Sequence, residues 1–133
     1  MTQLRSYTTI EQSKKLAEIL PLESADMYFQ YVLPKSSKIK HNPEIGNPVN
    51  ALEWYNKGYS FGGKEPITLD EYCVPCWSLA ALLDVLPDTM LGKDKDGYVV
   101  MAETMGSGQT TFASNSIDAC YEMILKLHDK NLI

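Results

Sequence analysis

The chain has 133 residues, 44% of them hydrophobic and 22% charged, with a formal net charge of −5 at pH 7. Those values fit one soluble globular domain large enough for a real core, and they exclude disordered and fibrous classes. The acidic balance argues against nucleic acid, whose binding rests on neutralising phosphates with Lys and Arg.

Residues 1–7 hold no apolar run of the secretory kind. No segment approaches the roughly 20 apolar residues of a membrane span, so no membrane association is expected. Three cysteines make no disulfide framework. Together these features predict a reducing, cytoplasmic setting.

Thr9-Ile10-Glu11-Gln12 has the form of a capping box and predicts a helix running to Leu20, stopped by Pro21. Ser13, Leu16, Ala17 and Leu20 share one face of it. Asp26 to Val32 is aromatic and β-branched and reads as a strand, with Met27, Phe29 and Tyr31 on one side. Pro34 to Ser37 reads as a turn and Lys38-Ile39-Lys40 as a short returning strand. Lys35, Lys38, Lys40 and His41 form the one basic cluster; lysines on such an arm discourage edge-to-edge pairing. Asn47-Pro48 supplies a cap and an N1 proline for the next helix. Val49, Leu52 and Tyr55 face inward there, and Gly58 is its expected C′ residue. Residues 59–72 read as a connector, looped at Gly62, Gly63 and Pro66.

The stretch from Cys73 to Pro87 carries the sharpest signals. Leu79, Leu82, Leu83 and Leu86 fall at i, i+3, i+4 and i+7, one face of a helix over 78–86. Ser78 is a suitable N-cap, Trp77 and Leu82 occupy the positions of a hydrophobic staple, and Pro87 ends the helix. Further on, Lys93 to Gly97 is a charged turn, Tyr98 to Thr104 a strand, Gly106-Ser107-Gly108 a hairpin turn and Gln109 to Ala113 its partner strand. Gly106-x-Gly108 lacks the third glycine and the helix of a dinucleotide site, and Asp94-x-Asp96-Gly97 lacks the closing acid of a calcium loop. Asn115 or Ser116 caps a final helix, with Ile117, Cys120, Tyr121, Ile124 and His128 as its stripe.

Cys73-Val74-Pro75-Cys76-Trp77 admits three chemical readings. A thiol near a helix N-terminus suits a thioredoxin-like redox pair, with Cys73 resolving Cys76. No proline follows Pro87, so the downstream cis-proline of that family has no counterpart. Cys-x-x-Cys-Trp is similar to the papain-like signature, with Cys76 as nucleophile. Asp70 stands where that family carries glutamine, and His128, the one downstream histidine, lies on a helix. Cys73, Cys76 and Cys120 with His128 or His41 would supply zinc ligands, but one Cys-x-x-Cys is half a structural site. Against all three stands reduced cysteine as a small buried apolar residue.

The two halves match in order. Leu16-Ala17-Glu18-Ile19-Leu20-Pro21 pairs with Leu82-Leu83-Asp84-Val85-Leu86-Pro87, and Asn47-Pro48-Val49-Asn50-Ala51 with Asn115-Ser116-Ile117-Asp118-Ala119. The expected fold is α+β: two tandem helix–strand–strand–helix repeats, about 9–58 and 77–131, with a connector over 59–76. They form one domain with antiparallel strands and a pseudo-two-fold axis. A two-stranded hairpin alone is too small to be stable, so the halves must combine. A groove at their join would be lined by Tyr28, Tyr31, Trp54, Tyr55 and Trp77.

The segments Thr8 to Pro21, Pro75 to Leu83 and Ile117 to Met123 resemble a group of small proteins from gut Bacteroides, often found in prophage or other mobile-element contexts. The resemblance spans most of the chain and implies a bacterial cytoplasmic setting. It brings no activity, cofactor or catalytic residue with it. No nucleophile, base and orienting group stand together in the sequence. The expectation is therefore a non-enzymatic protein-interaction module without a cofactor, whose partner is another protein and which leaves homo-oligomers open. It requires an exposed apolar patch or an open sheet edge. Two alternatives remain: a thiol-dependent enzyme or redox protein using Cys76 with Cys73, and a small-ligand binder at the groove between the repeats.

Overall fold

Thr9 closes its capping box as the sequence predicts. Its hydroxyl accepts from the Gln12 amide at 3.1 Å, and its own amide donates to Gln12 Oε1 at 3.0 Å. The computed structural model describes residues 6–34, 36–60, 65–104 and 107–133. Lys35 of the basic cluster and Gly62, Gly63 and Gly106 of the expected turns lie outside the described residues. The architecture is α+β with antiparallel sheets, and the chain divides into two compact units.

The first unit is Thr9–Trp77. Helix α1 (Ile10–Ala17) follows the Thr9 cap and buries Ser13 and Leu16. It ends short of Leu20, and the amides of Ile19 and Leu20 both turn back to Leu16 O. A 3-10 turn (Leu22–Ser24) leads into β1 (Met27–Gln30), which buries Phe29. The expected returning strand at 38–40 is a single bridge, Tyr31 to Ile39, and the true partner is β2 (Glu44–Ile45).

Helix α2 (Pro48–Ser60) begins at Asn47 as predicted. Asn47 Oδ1 accepts from the Val49 amide at 3.0 Å, while its Nδ2 donates to Leu22 O at 3.1 Å and Ala25 O at 2.9 Å. One side chain thus starts a helix and fastens it to the preceding turn. Gly58 does not end α2: the helix continues to Ser60, and Gly58 is an exposed helical residue within it.

The expected connector contains helix α3 (Leu69–Tyr72), capped where the Thr68 amide donates to Glu71 Oε1 at 3.0 Å. Cys73–Cys76 is then strand β3, not merely an extended lead-in. It pairs antiparallel with β1, giving the order β2-β1-β3. Pro75 is tolerated there because β3 is an edge strand of this sheet, where an amide hydrogen can be spared.

The second unit comprises Ser78–Ile133 with the start of the chain. The Leu79 amide donates to Ser6 O, and Tyr7 bridges to Ser78. Ser78 caps α4 (Leu79–Val85) by accepting from the Ala81 amide at 3.2 Å. Three strands follow: β4 (Thr89–Asp94), β5 (Gly97–Thr104) and β6 (Ser107–Ala113), in the order β4-β5-β6. Strand β4 is absent from the sequence-based expectation. Asp94 closes the β4–β5 turn, its carboxylate accepting from the amides of Asp96 at 2.7 Å and Gly97 at 3.1 Å.

Asn115, the first of the two expected caps, opens α5 (Ser116–Asp129) by accepting from the Asp118 amide at 2.8 Å. This helix packs on β5 and β6. Thr111 Oγ1 donates to Ala119 O at 2.7 Å across that contact. The buried stripe is Ile117, Cys120, Met123, Ile124 and Leu127, with Ala119 beside it. His128 is exposed, one position past Leu127, so it does not belong to the stripe in which the sequence places it.

The sequence matches between halves fall on corresponding helix ends, at the close of α1 and α4 and the opening of α2 and α5. The strands between them are wired differently. The central strand is the first of its sheet in one unit and the second in the other. Among the described residues, no repeated strand order accompanies the matched segments.

Candidate functional site

The three cysteines are buried free thiols. Cys73 and Cys76 are three residues apart on β3, so they point to opposite faces of the strand. At about 3.3 Å per residue their Cα atoms lie about 10 Å apart, beyond the roughly 7 Å limit of a disulfide. The paired-thiol geometry of the redox reading is therefore absent. Burial, with Asp70 adding to it, pushes the Cys73 thiol up to about 12, away from the thiolate a nucleophile needs. Cys76 has no accessible surface, and α4 begins at Leu79, so the thiol sits in a strand and not at a helix start. Cys120 is likewise pushed up, to about 11, by burial on α5. Among the described residues, no group of three or more His, Cys, Asp and Glu is placed to hold a metal ion.

The five aromatic residues expected at a groove all belong to Thr9–Trp77, and they do not gather on one surface. Trp77 is fully buried, and its Nε1 donates to Ser24 Oγ at 2.9 Å. It is a packing residue and not a groove wall. Trp54 stands 78% exposed on α2. Tyr28 and Tyr55 meet through a residue the expectation omitted: Tyr72 lies 6.0 Å from Tyr28 and 5.0 Å from Tyr55, ring centroid to centroid. Burial, then the neighbouring Tyr28, holds the Tyr72 phenol well above its ordinary range. Tyr31 is half-buried at its bridge to Ile39.

A more open site lies on the β4-β5-β6 sheet. Strand alternation sends Val100 and Ala102 to the side that α5 covers, and both are buried. The residues between them face the other way. Met90 pairs with Met101, and Met101 with Thr110. In the next row Gly92 pairs with Val99, and Val99 with Phe112. Met90 is 67% exposed, Met101 43% and Phe112 53%.

Val99 is half-buried, and Gly92 opposite it has no side chain with which to cover it. A Cβ there would lie 3.3 Å from Val99 Cγ1. At one end of this face Glu103 pairs with Gly108, and its amide donates to Asp88 O. A depression of about 480 Å³ opens there, lined by Asp88, Met90, Met101, Glu103 and Thr110 among others. At the sheet edge, Lys126 Nζ donates to Thr110 O at 3.1 Å, which occupies an acceptor of β6.

Sequence reasoning missed this face, yet a signal for it exists. Tyr98-Val99-Val100-Met101-Ala102 is an unbroken apolar run. A strand covered on one side alternates apolar and polar residues; an unbroken run belongs to a strand covered on both. Here one side of the sheet carries a helix and the other carries exposed methionine and phenylalanine. Elsewhere, no helix among the described residues is long and apolar enough to cross a membrane. No family model matches the sequence, and no curated protein or solved structure matches it either.

Proposed function

We propose that this protein is a non-enzymatic interaction module that docks another protein on the open face of β4-β5-β6. The observation that carries the reading is the apolar central strand with one face bare, where Met90, Met101 and Phe112 stand exposed together. Apolar patches of this kind mark interaction surfaces. Methionine suits such a surface, because its unbranched, polarisable side chain adapts to a partner's shape. The burial of Cys73 and Cys76 and the raised Cys73 thiol support a packing role for them over a catalytic one. The sequence resemblance supports a bacterial, cytoplasmic, mobile-element accessory as the biological setting.

The test compares the wild-type chain with Met101→Glu as baits in quantitative co-purification from the same cells. The charge replaces an apolar contact at the centre of the face and leaves the fold intact. A specific partner should fall by about tenfold or more, as for an interface anchor. Retention of the same proteins in the same amounts by both baits would remove the proposal.

A further inference from the structure

The open face also constrains the shape and charge of what fits it. This step rests on the reading that the face docks a protein. Three strands span two inter-strand spacings of about 4.8 Å, so the outer strands lie roughly 10 Å apart. An α-helix with its side chains is about 10–12 Å across. The sheet is therefore one helix wide. The run from Asp88 to Asp94 covers about 20 Å at 3.4 Å per residue, the length of about 13 helical residues. A helix on this side would complete a three-layer arrangement, with α5 already on the other side.

The charge at one end is equally specific. Asp88 and Glu103 border the depression beside Met90 and Met101; none of the described residues lining it is Lys or Arg, and the nearby Lys126 is tied to Thr110 O at the β6 edge. Ser78–Ile133 as a whole holds eight acidic residues and four lysines. A second copy would bring the same acidic balance to the contact, and like charges across an interface oppose association. A cationic partner gains from the same groups.

We infer that the face receives a single amphipathic helix, apolar toward the sheet and bearing lysine or arginine where it meets Asp88 and Glu103. Apolar side chains at i, i+3, i+4 and i+7 would cover Met90, Met101, Val99 and Phe112.

The experiment uses the full chain with ¹³C-labelled methionine methyls, assigned by Met90→Leu and Met101→Leu. Two synthetic helices of about 14 residues are added in turn. Both carry leucine at i, i+3, i+4 and i+7; one has lysines at its end and the other glutamates at the same positions. The expected result is that the lysine helix shifts the Met90 and Met101 methyls and binds more tightly than the glutamate helix. Asp88→Asn with Glu103→Gln should then weaken the lysine helix about fivefold, as for a pair of rim charges, and tighten the glutamate helix by relieving its repulsion. Equal binding of both helices to these methyls would overturn the charge assignment and leave the docking reading standing. No response to either helix would overturn the helix assignment, and the co-purification test with Met101→Glu then decides the docking reading by itself. A dimer of the free chain that Met101→Glu dissolves would overturn the helix assignment in favour of a second copy.

Discussion

Met90 and Met101 stand directly opposite each other on the β4–β5 ladder, and both side chains face solvent. Their neighbours in sequence, Leu91 and Val100, are also cross-strand partners, but they point to the side where α5 packs. One residue of register separates a helix-covered pair from a solvent-facing pair of similar apolar character. Folding alone does not require apolar side chains at the solvent-facing pair.

Met101→Lys should therefore leave stability within about 0.5 kcal/mol of the wild type, as exposed substitutions do. Thermal melting reads the effect. A loss of stability above about 2 kcal/mol would mean that the Met101 side chain is packed in the folded protein.

Two glycines should respond in opposite directions to alanine. Gly97 has a φ of +150°, and a Cβ there would lie 2.5 Å from Ala113 O. Gly97→Ala should cost about 1–3 kcal/mol through backbone strain and the clash. Gly58 sits within α2, and a Cβ added there would meet nothing within 4 Å. Gly58→Ala should stabilise by about 0.5–1 kcal/mol, since alanine loses less freedom in a helix. Urea unfolding midpoints of the two variants check both signs.

The buried thiols set an alkaline limit on stability. Cys73 is raised to about 12 by burial and Asp70, and Cys120 to about 11 by burial, against an ordinary value of 9.0. A raised value means that the folded chain holds these protons after the unfolded chain has released them. Their contribution is thus complete below pH 9 and is lost as pH rises toward 11 and 12. The urea midpoint should fall steadily above pH 9, and Cys73→Ala with Cys120→Ala should flatten that fall. A thiol reagent at neutral pH should react slowly with native protein and fast after unfolding.

The two tryptophans should give opposite fluorescence. Trp77 is fully buried and Trp54 largely exposed. Trp54→Phe should leave a blue-shifted emission that acrylamide quenches poorly, and Trp77→Phe a red-shifted emission that it quenches well. Trp77→Phe should also destabilise by about 1–3 kcal/mol, because it deletes a donor and leaves Ser24 Oγ with one bond fewer.

Helix starts are the most legible feature of the chain, because each is written in two or three adjacent residues. Thr9, Ser78 and Asn115 cap the helices that their sequence positions predict, and Asn47 opens α2. Helix ends are less so. Gly58 reads as a stop from local chemistry, but the tie between Asn56 and Ile67, at 3.0 and 3.1 Å, holds α2 against the following chain.

Strands depend on distant partners. Glu44–Ile45 and Cys73–Cys76 are too short to show alternation, and β1 lies between them only after the chain has folded. Strand β4 is hidden because Gly92 and Lys93 interrupt its apolar pattern. The site follows the same division. Cysteines and aromatic residues attract notice by type, yet Cys76 and Trp77 are fully buried. Met90, Met101 and Phe112 carry no motif, and only strand register brings them to one face.

The most direct measurement of the docking claim is site-specific photo-cross-linking in cells. A benzophenone side chain is placed at Met101 on the open face, and separately at Glu122 on the exposed side of α5. If the open face docks a protein, position 101 gives one dominant cross-linked product that is lost when Met90→Glu is added, and position 122 gives no such product. Cross-linking from 122 but not from 101, or a product at 101 that Met90→Glu leaves unchanged, would contradict the docking claim.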